Sequence, residues 1–376
     1  MFRRTTLPGA LAVAALAAAC SEPAGPYRRS LDAPLFQDVG PTAGISLDVH
    51  NGSLNEHGRR LVKGFDPRNP HLGDAIIATF YWLGETYIID SVTDVLNDAN
   101  ATPVGNKYQL VDYVTAGGYS MATYVATNVQ NFDDAGTDRI LVVRADLADS
   151  VDGGVTISAW TGVNAVAAYA LGAARSGAGV GSGIITVGPG SIPIGAGALA
   201  YAVTMSNGIV GRDPPPGFRF IDTGSDNLMV NEIDYAVPTA IGTVDPQWTW
   251  YFAENTQNTW LATVLALNPP LHLAFTVQPS TTLPLVRIQP AVQVAVLDAL
   301  GERVTSFNGP LTIAIGRNGG LLVPGALSGT KTVTVVNGVA TFSDLSIDQP
   351  GNGYTLVVSA ASVFGAESAP FNIGAF

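Results

Sequence analysis

Cysteine is almost absent: Cys20 is the only one in 376 residues. An internal disulfide is therefore excluded, and the folded part must be held by burial of apolar surface. Charge is scarce as well. Charged residues make up 13% of the chain, and 18 basic residues face 30 acidic ones, for a net charge of −12. That balance excludes a basic groove for a phosphate backbone, so no nucleic-acid partner is expected. The four histidines, His50, His57, His71 and His272, show no His-x-Glu or His-x3-His spacing, which argues against a zinc site. A sustained 3.6-residue apolar period is also missing. Only the alanine-rich run 164–174 has the composition for a helical turn or two, and Gly172 limits it.

Apolar residues, by contrast, reach 47%, alongside 42 glycines and 24 prolines. Apolar content this high with little charge marks a globular chain, and abundant Gly and Pro punctuate it with turns. Runs of strand length recur at 75–82, 87–93, 119–126, 197–204, 248–252 and 259–266. The runs 139–144 and 154–160 read as a pair of strands with Asp152-Gly153 in the turn between them. The glycine-rich stretch 176–197 reads as a flexible loop or a loose sheet edge, and Asp213-Pro-Pro-Pro-Gly217 as a surface loop. Asn268-Pro269-Pro270 marks a boundary, because proline cannot feed a central ladder. Beyond it Val292, Val294 and Val296 alternate, and Asn337-Gly338 joins two short strands as a two-residue hairpin. Short strands without intervening helices predict an all-β protein built as a sandwich or jelly roll.

The first residues carry their own signal. Arg3 and Arg4 precede an apolar run from Leu7 to Ala19, too short to span a bilayer, and Ala17-Ala18-Ala19-Cys20 follows. This resembles the lipobox of bacterial lipoprotein signal peptides, with Ala17 where that family favours leucine. The resemblance implies export, lipid attachment at Cys20 and anchoring in the cell envelope, the outer membrane or cell surface being the expected address. Residues 20–35 then read as a tether.

A second resemblance lies at the other end. Pro290-Ala-Val-Gln-Val, Gly338-x-Ala-x-Phe-x-Asp-Leu and Gly353-Tyr-x-Leu resemble a bacterial Ig-like domain of the invasin/intimin type. The likeness covers 271–376 and implies a fold, since such domains serve as spacers, stalks and binding tips alike. The segment 36–268 has a general likeness to bacterial jelly-roll, lectin-like domains. The expected organisation is a signal peptide (1–19), a lipidated tether (20–35), a jelly-roll-like β-sandwich (36–268) and an Ig-like β-sandwich (271–376).

Candidate chemistry is sparse. Asp133, Asp134 and Asp138 form a compact acidic loop of the hard-oxygen kind that suits calcium, as do Asp222 and Asp226. Both also read as plain Asx turns. Trp248 and Trp250 share a strand face and form either a platform for stacking on sugar rings or an ordinary core. Glu232 and Asp234 share a strand face, and Glu85 and Glu254 lie elsewhere, with nothing to single out a catalytic pair. Ser120 sits in a strand pattern rather than a strand-to-helix turn, and the Gly177–Gly183 run lacks the context of a dinucleotide site. The expectation is a non-enzymatic surface lipoprotein that adheres to, or binds, a glycan or protein and requires no cofactor, with calcium as an option. The alternatives are a carbohydrate-active enzyme on the first domain and a structural spacer.

Overall fold

A computed structural model of the chain describes residues 45–130, 139–208, 212–361 and 363–374. Cys20, the tether and the Asp133, Asp134 and Asp138 loop lie outside them. Pro41–Phe376 forms one compact unit. It is an all-β sandwich structure. Among the described residues the one helix is a single turn, α1 (Ala167–Ala170), in the alanine-rich run.

The first part is a stack of two antiparallel sheets. One contains β1 (Ser46–Gly64), β2 (Ala75–Leu83), β3 (Ile89–Leu96), β4 (Gln109–Ala116), β5 (Tyr119–Ala126) and β6 (Leu141–Thr161). Its path runs β1-β6-β2-β5-β4, with β3 on the far half of β6. After α1 come β7 (Leu171–Gly181), β8 (Ile184–Val187), β9 (Ile192–Ile194), β10 (Leu199–Ser206), β11 (Arg212–Asp213), β12 (Arg219–Ser225) and β13 (Val230–Ala236). Then follow β14 (Gly242–Val244), β15 (Trp248–Tyr251) and β16 (Asn258–Leu267). The second sheet runs β12-β13-β10-β16-β7.

The two paths have the same topology. When the five path strands of each sheet are taken in chain order, both read first, fifth, second, fourth, third. The sheets stack in opposite sense, with β1 over β12 and β4 over β7. The middle strands of the two paths, β2 and β10, meet through Thr79 Oγ1 and the Tyr201 hydroxyl, 3.3 Å apart.

Each sheet is covered on both faces, which explains why its central strands read as unbroken apolar runs instead of alternating ones. Along β2, Ile77 and Tyr81 face the inter-sheet core, whereas Ile76, Phe80 and Trp82 face an outer core closed by Ile88, Ile89 and Phe65. Along β16, Leu261 and Leu265 point inward, and Ala262 and Val264 point to a second outer core beneath β8, β9 and β15. The small outward side chains of β10 and β16 leave room for the bulk of Trp248 and Trp250. Burying each large apolar side chain contributes on the order of 1.5–3 kcal/mol.

One sequence expectation changes here, and one is resolved between its alternatives. Asp152-Gly153 is not a turn between strands: β6 runs for 21 residues and pairs with β1 on both sides of an irregularity at 147–150. Glycine is needed there for space, because a Cβ on Gly153 would lie 2.3 Å from the Tyr81 carbonyl oxygen and one on Gly154 2.2 Å from that of Ser53. The glycine-rich stretch after Ser176 takes the sheet-edge alternative. Its first part belongs to edge strand β7, and its small residues lie against Trp260 and the Gly188-Pro189 backbone.

The second sandwich comprises β17 (Leu271–Val277), β18 (Val292–Leu297), β19 (Pro310–Ile315), β20 (Leu327–Ser328), β21 (Thr332–Thr334) and β22 (Val339–Phe342). It continues with β23 (Ser346–Ile347), β24 (Gly351–Tyr354), β25 (Leu356–Ala360), β26 (Val363–Glu367) and β27 (Phe371–Ile373). A seven-stranded sheet follows the path β21-β19-β25-β26-β17-β18-β22, and its end strands approach each other, so the sheet curls almost closed. Asn337 and Gly338 both take positive φ, at 50° and 73°, as a two-residue hairpin with a right-handed twist requires. The core of this part draws its buried members from Leu271–Ile373, whereas the other three draw theirs from Ile45–Leu267. The segment between them is pinned rather than free: Asn268 N–H donates to the Ala170 carbonyl (2.7 Å), and Asn164 N–H donates to that of Asn268 (2.9 Å).

Candidate functional site, a carboxyl pair under the 65–74 loop

Between β1 and β2 the chain makes a ten-residue loop, Phe65-Asp-Pro-Arg-Asn-Pro-His-Leu-Gly-Asp74. Its two prolines restrict the backbone, and both ends are fixed. Phe65 is fully buried in the outer core, and its N–H donates to the Leu141 carbonyl. In mid-loop, the Asn69 side-chain oxygen accepts from Leu141 N–H at 2.7 Å. Gly73 takes φ +89°, which lets the chain turn into β2.

This loop lays three polar side chains beside Asp48 of β1. Arg68 Nη1 lies 2.5 Å from Asp48 Oδ1, and Arg68 Nη2 donates to the Asp48 carbonyl at 2.7 Å. His71 Nδ1 lies 3.0 Å from Asp48 Oδ2, and His71 N–H donates to Asp74 Oδ2 at 3.0 Å. Asp48 and Asp74 are nearly inaccessible, with 4% of the Asp48 side chain and 3% of Asp74 exposed, while His71 and Arg68 reach solvent.

The two carboxyls are hydrogen-bonded to each other, and their environments push them apart. Burial, together with the adjacent Asp48 charge, raises Asp74 to about 8. Asp48 is buried too, which opposes its ionisation, but hydrogen bonds from Asp74 and Arg68 and the charges of Arg68 and His71 hold it below the ordinary value. Two carboxylates in contact cannot both ionise cheaply, so one keeps the proton. Asp74 is therefore the donor and Asp48 the anion. One ligand atom from each of Asp48, His71 and Asp74 lies within 4.8 Å of the others, so the three can hold a small cation once Asp74 gives up its proton.

The residues singled out from sequence lie elsewhere. Cys20, Asp133, Asp134 and Asp138 fall outside the described residues. Trp248 and Trp250 are fully buried in the outer core of the second sheet, and Trp248 Nε1 donates to Asp234 Oδ2 at 2.8 Å. The exposed stacking platform is thereby corrected to a core role: β15 crosses over the sheet and turns both indoles inward. Glu232 and Asp234 are buried on β13, Asp234 against Trp248. Asp226 forms an Asx turn, its Oδ1 accepting from Leu228 and Met229 N–H at 2.7 Å each. Asp222 lies 3.6 Å from His50 across the stack. Ser120 is buried, its hydroxyl donating to the Gly84 carbonyl.

Sequence reasoning missed the carboxyl pair because its members are 26 positions apart and no motif links them. The signal that was present is Arg68-x-x-His71-x-x-Asp74 in a proline-rich loop ahead of an apolar strand. Comparison with family models, curated proteins and solved structures finds no match to this chain.

Proposed function

We propose that the chain is an exported envelope protein, anchored by lipid at Cys20, whose stacked sandwiches act as a non-enzymatic binding or adhesion module for a glycan or protein at the cell surface. The observation that carries this reading is the state of the carboxyl pair that the fold assembles under the 65–74 loop. One oxygen of Asp48 lies within 4.8 Å of one of Asp74, both side chains are buried, and Arg68 and His71 bind them. A glycosidase pair stands roughly 5–10 Å apart across an open cleft. The pair instead fastens the 65–74 loop to β1, as suits a scaffold. A glycan array probed with residues 41–376 tests the reading. Saturable binding without turnover of the bound glycan supports it, and release of hydrolysed products contradicts it.

A cation role for the same residues is a second reading, supported by the Asp48, His71 and Asp74 grouping. Calcium prefers six to eight oxygen ligands, and the imidazole and the adjacent Arg68 fit it poorly. A more nitrogen-tolerant divalent ion fits better. Titration with calcium and with zinc, read by melting temperature, separates the two: a rise in either that Asp74→Asn abolishes supports a site for that ion.

A further inference from the structure

The strongest unexplained surface lies on the second sandwich. Six large apolar side chains stand in solvent on two loops: Leu283, Leu285 and Val286, then Leu321, Leu322 and Val323. Leu322 is 96% exposed and Leu285 73%. Three consecutive exposed apolar residues in one loop, and three within four positions in the other, are far from the scatter of single residues normal on a protein surface.

The two loops are neighbours, because each lies along the same segment, 345–351. On one side Leu285 N–H donates to the Ile347 carbonyl and Ile288 N–H to that of Leu345. On the other, Leu327 pairs with Ile347, and Leu321 N–H donates to the Pro350 carbonyl. Leu285 is also held at φ +63°, a left-handed conformation that a branched side chain rarely takes. A glycine would adopt it freely, so leucine is kept there against a local cost.

The charged residues of the two loops themselves are all basic. Residues 279–290 and 316–331 contain Arg287, Arg317 and Lys331 and no acid, in a protein of net charge −12. All three basic side chains are exposed. Two acids face these loops from the segment behind them, Asp344 accepting from the Thr330 backbone and hydroxyl and Asp348 from Ala326 N–H; both keep their charge, so the three basic groups outnumber them by one. Apolar tips flanked by basic groups match the layering of an anionic bilayer, with acyl chains below phosphates.

We propose that these two loops dock the second sandwich on an anionic lipid surface, the leucines and valines entering the interface while Arg287, Arg317 and Lys331 meet the headgroup phosphates. This docking does not depend on lipid at Cys20, and it would hold the far end of the chain against a membrane as well.

The test uses the compact unit 41–376, whose four cores lie within it and which lacks the lipid site. Flotation is measured with phosphatidylcholine vesicles and with vesicles also containing phosphatidylglycerol. The expected result is salt-sensitive binding to the anionic vesicles, weakened at least about tenfold in Leu285→Asp/Leu322→Asp with an unchanged melting temperature. Arg287→Gln/Arg317→Gln should reduce the preference for phosphatidylglycerol. Failure of the parent protein to float with anionic vesicles overturns the proposal. So does sedimentation as a dimer that the leucine substitutions dissolve when no flotation is seen, which would assign the patch to a second copy of the chain.

Discussion

The buried carboxyl of Asp74 is the residue with the clearest physical consequence. It titrates near 8 in the folded protein, against 3.8 for an ordinary aspartate. Between those values the folded state keeps a proton that the unfolded state has released, so stability falls as pH rises towards about 8. Asp48, held low, acts in the other direction: its contribution is lost as pH falls through its folded value. Asp74→Asn stays neutral and keeps a donor towards Asp48. It should therefore flatten the decline between about pH 5 and 8, where one proton accounts for at most about 1.4 kcal/mol per pH unit. Thermal melts across that range decide, and a slope unchanged in the variant contradicts the shared proton. Leu285 offers a second residue-scale test. A left-handed leucine costs roughly 1–2 kcal/mol, so Leu285→Gly should raise stability by about 1 kcal/mol. A lowered melting temperature would show that the exposed side chain supports the fold.

At the scale of elements, the central strands of the stacked sheets carry a buried hydroxyl layer. The Tyr81 hydroxyl is 3.0 Å from Thr156 Oγ1, and Thr79 Oγ1 is 3.1 Å from Thr123 Oγ1. Burial pushes Tyr201 up to about 12 and Tyr81 well above its ordinary value, so both remain neutral donors. Tyr81→Phe leaves Thr156 short of its partner and should cost about 1–2 kcal/mol, measured by urea unfolding; a neutral effect would show that the hydroxyl layer contributes little. Several elements were legible in the sequence. The apolar runs at β2, β5, β10 and β16 announced themselves, as did Asn337-Gly338. Strands β1 and β4 did not. β1, with His50, Asn51, Gly52, Asn55, His57, Arg59 and Arg60, is a polar edge strand whose partners lie about 100 residues away on β6, and no local period reports such pairing. The turn expected at Asp152-Gly153 fails for the same reason: two glycines signal either a turn or a close approach of neighbouring backbones, and here the neighbours are Tyr81 and Ser53.

On the scale of the whole molecule, the two sandwiches are in contact. Tyr169 packs on Phe307, ring centroids 6.4 Å apart, and a Cβ on Gly195 would sit 2.5 Å from that of Ala299. Gly195→Val should therefore pry the contact open, turning one cooperative unfolding transition into two in calorimetry; a single unaltered transition would show that the contact is soft. The all-β class followed from composition and turn spacing. The repeated strand order of the two sheets did not, because a topology shared by two segments leaves no mark unless the side chains repeat with it. The carboxyl pair was equally hidden, since Asp48 and Asp74 are brought together by β1 and β2 both pairing with β6. The residues of the lipid signal lie before the described part of the chain, and the account of where this protein works rests on them. Palmitate labelling in a bacterial host, wild type against Cys20→Ser, tests it most directly. Label is expected on the wild-type protein and none on the variant. Label on both, or on neither, would contradict it.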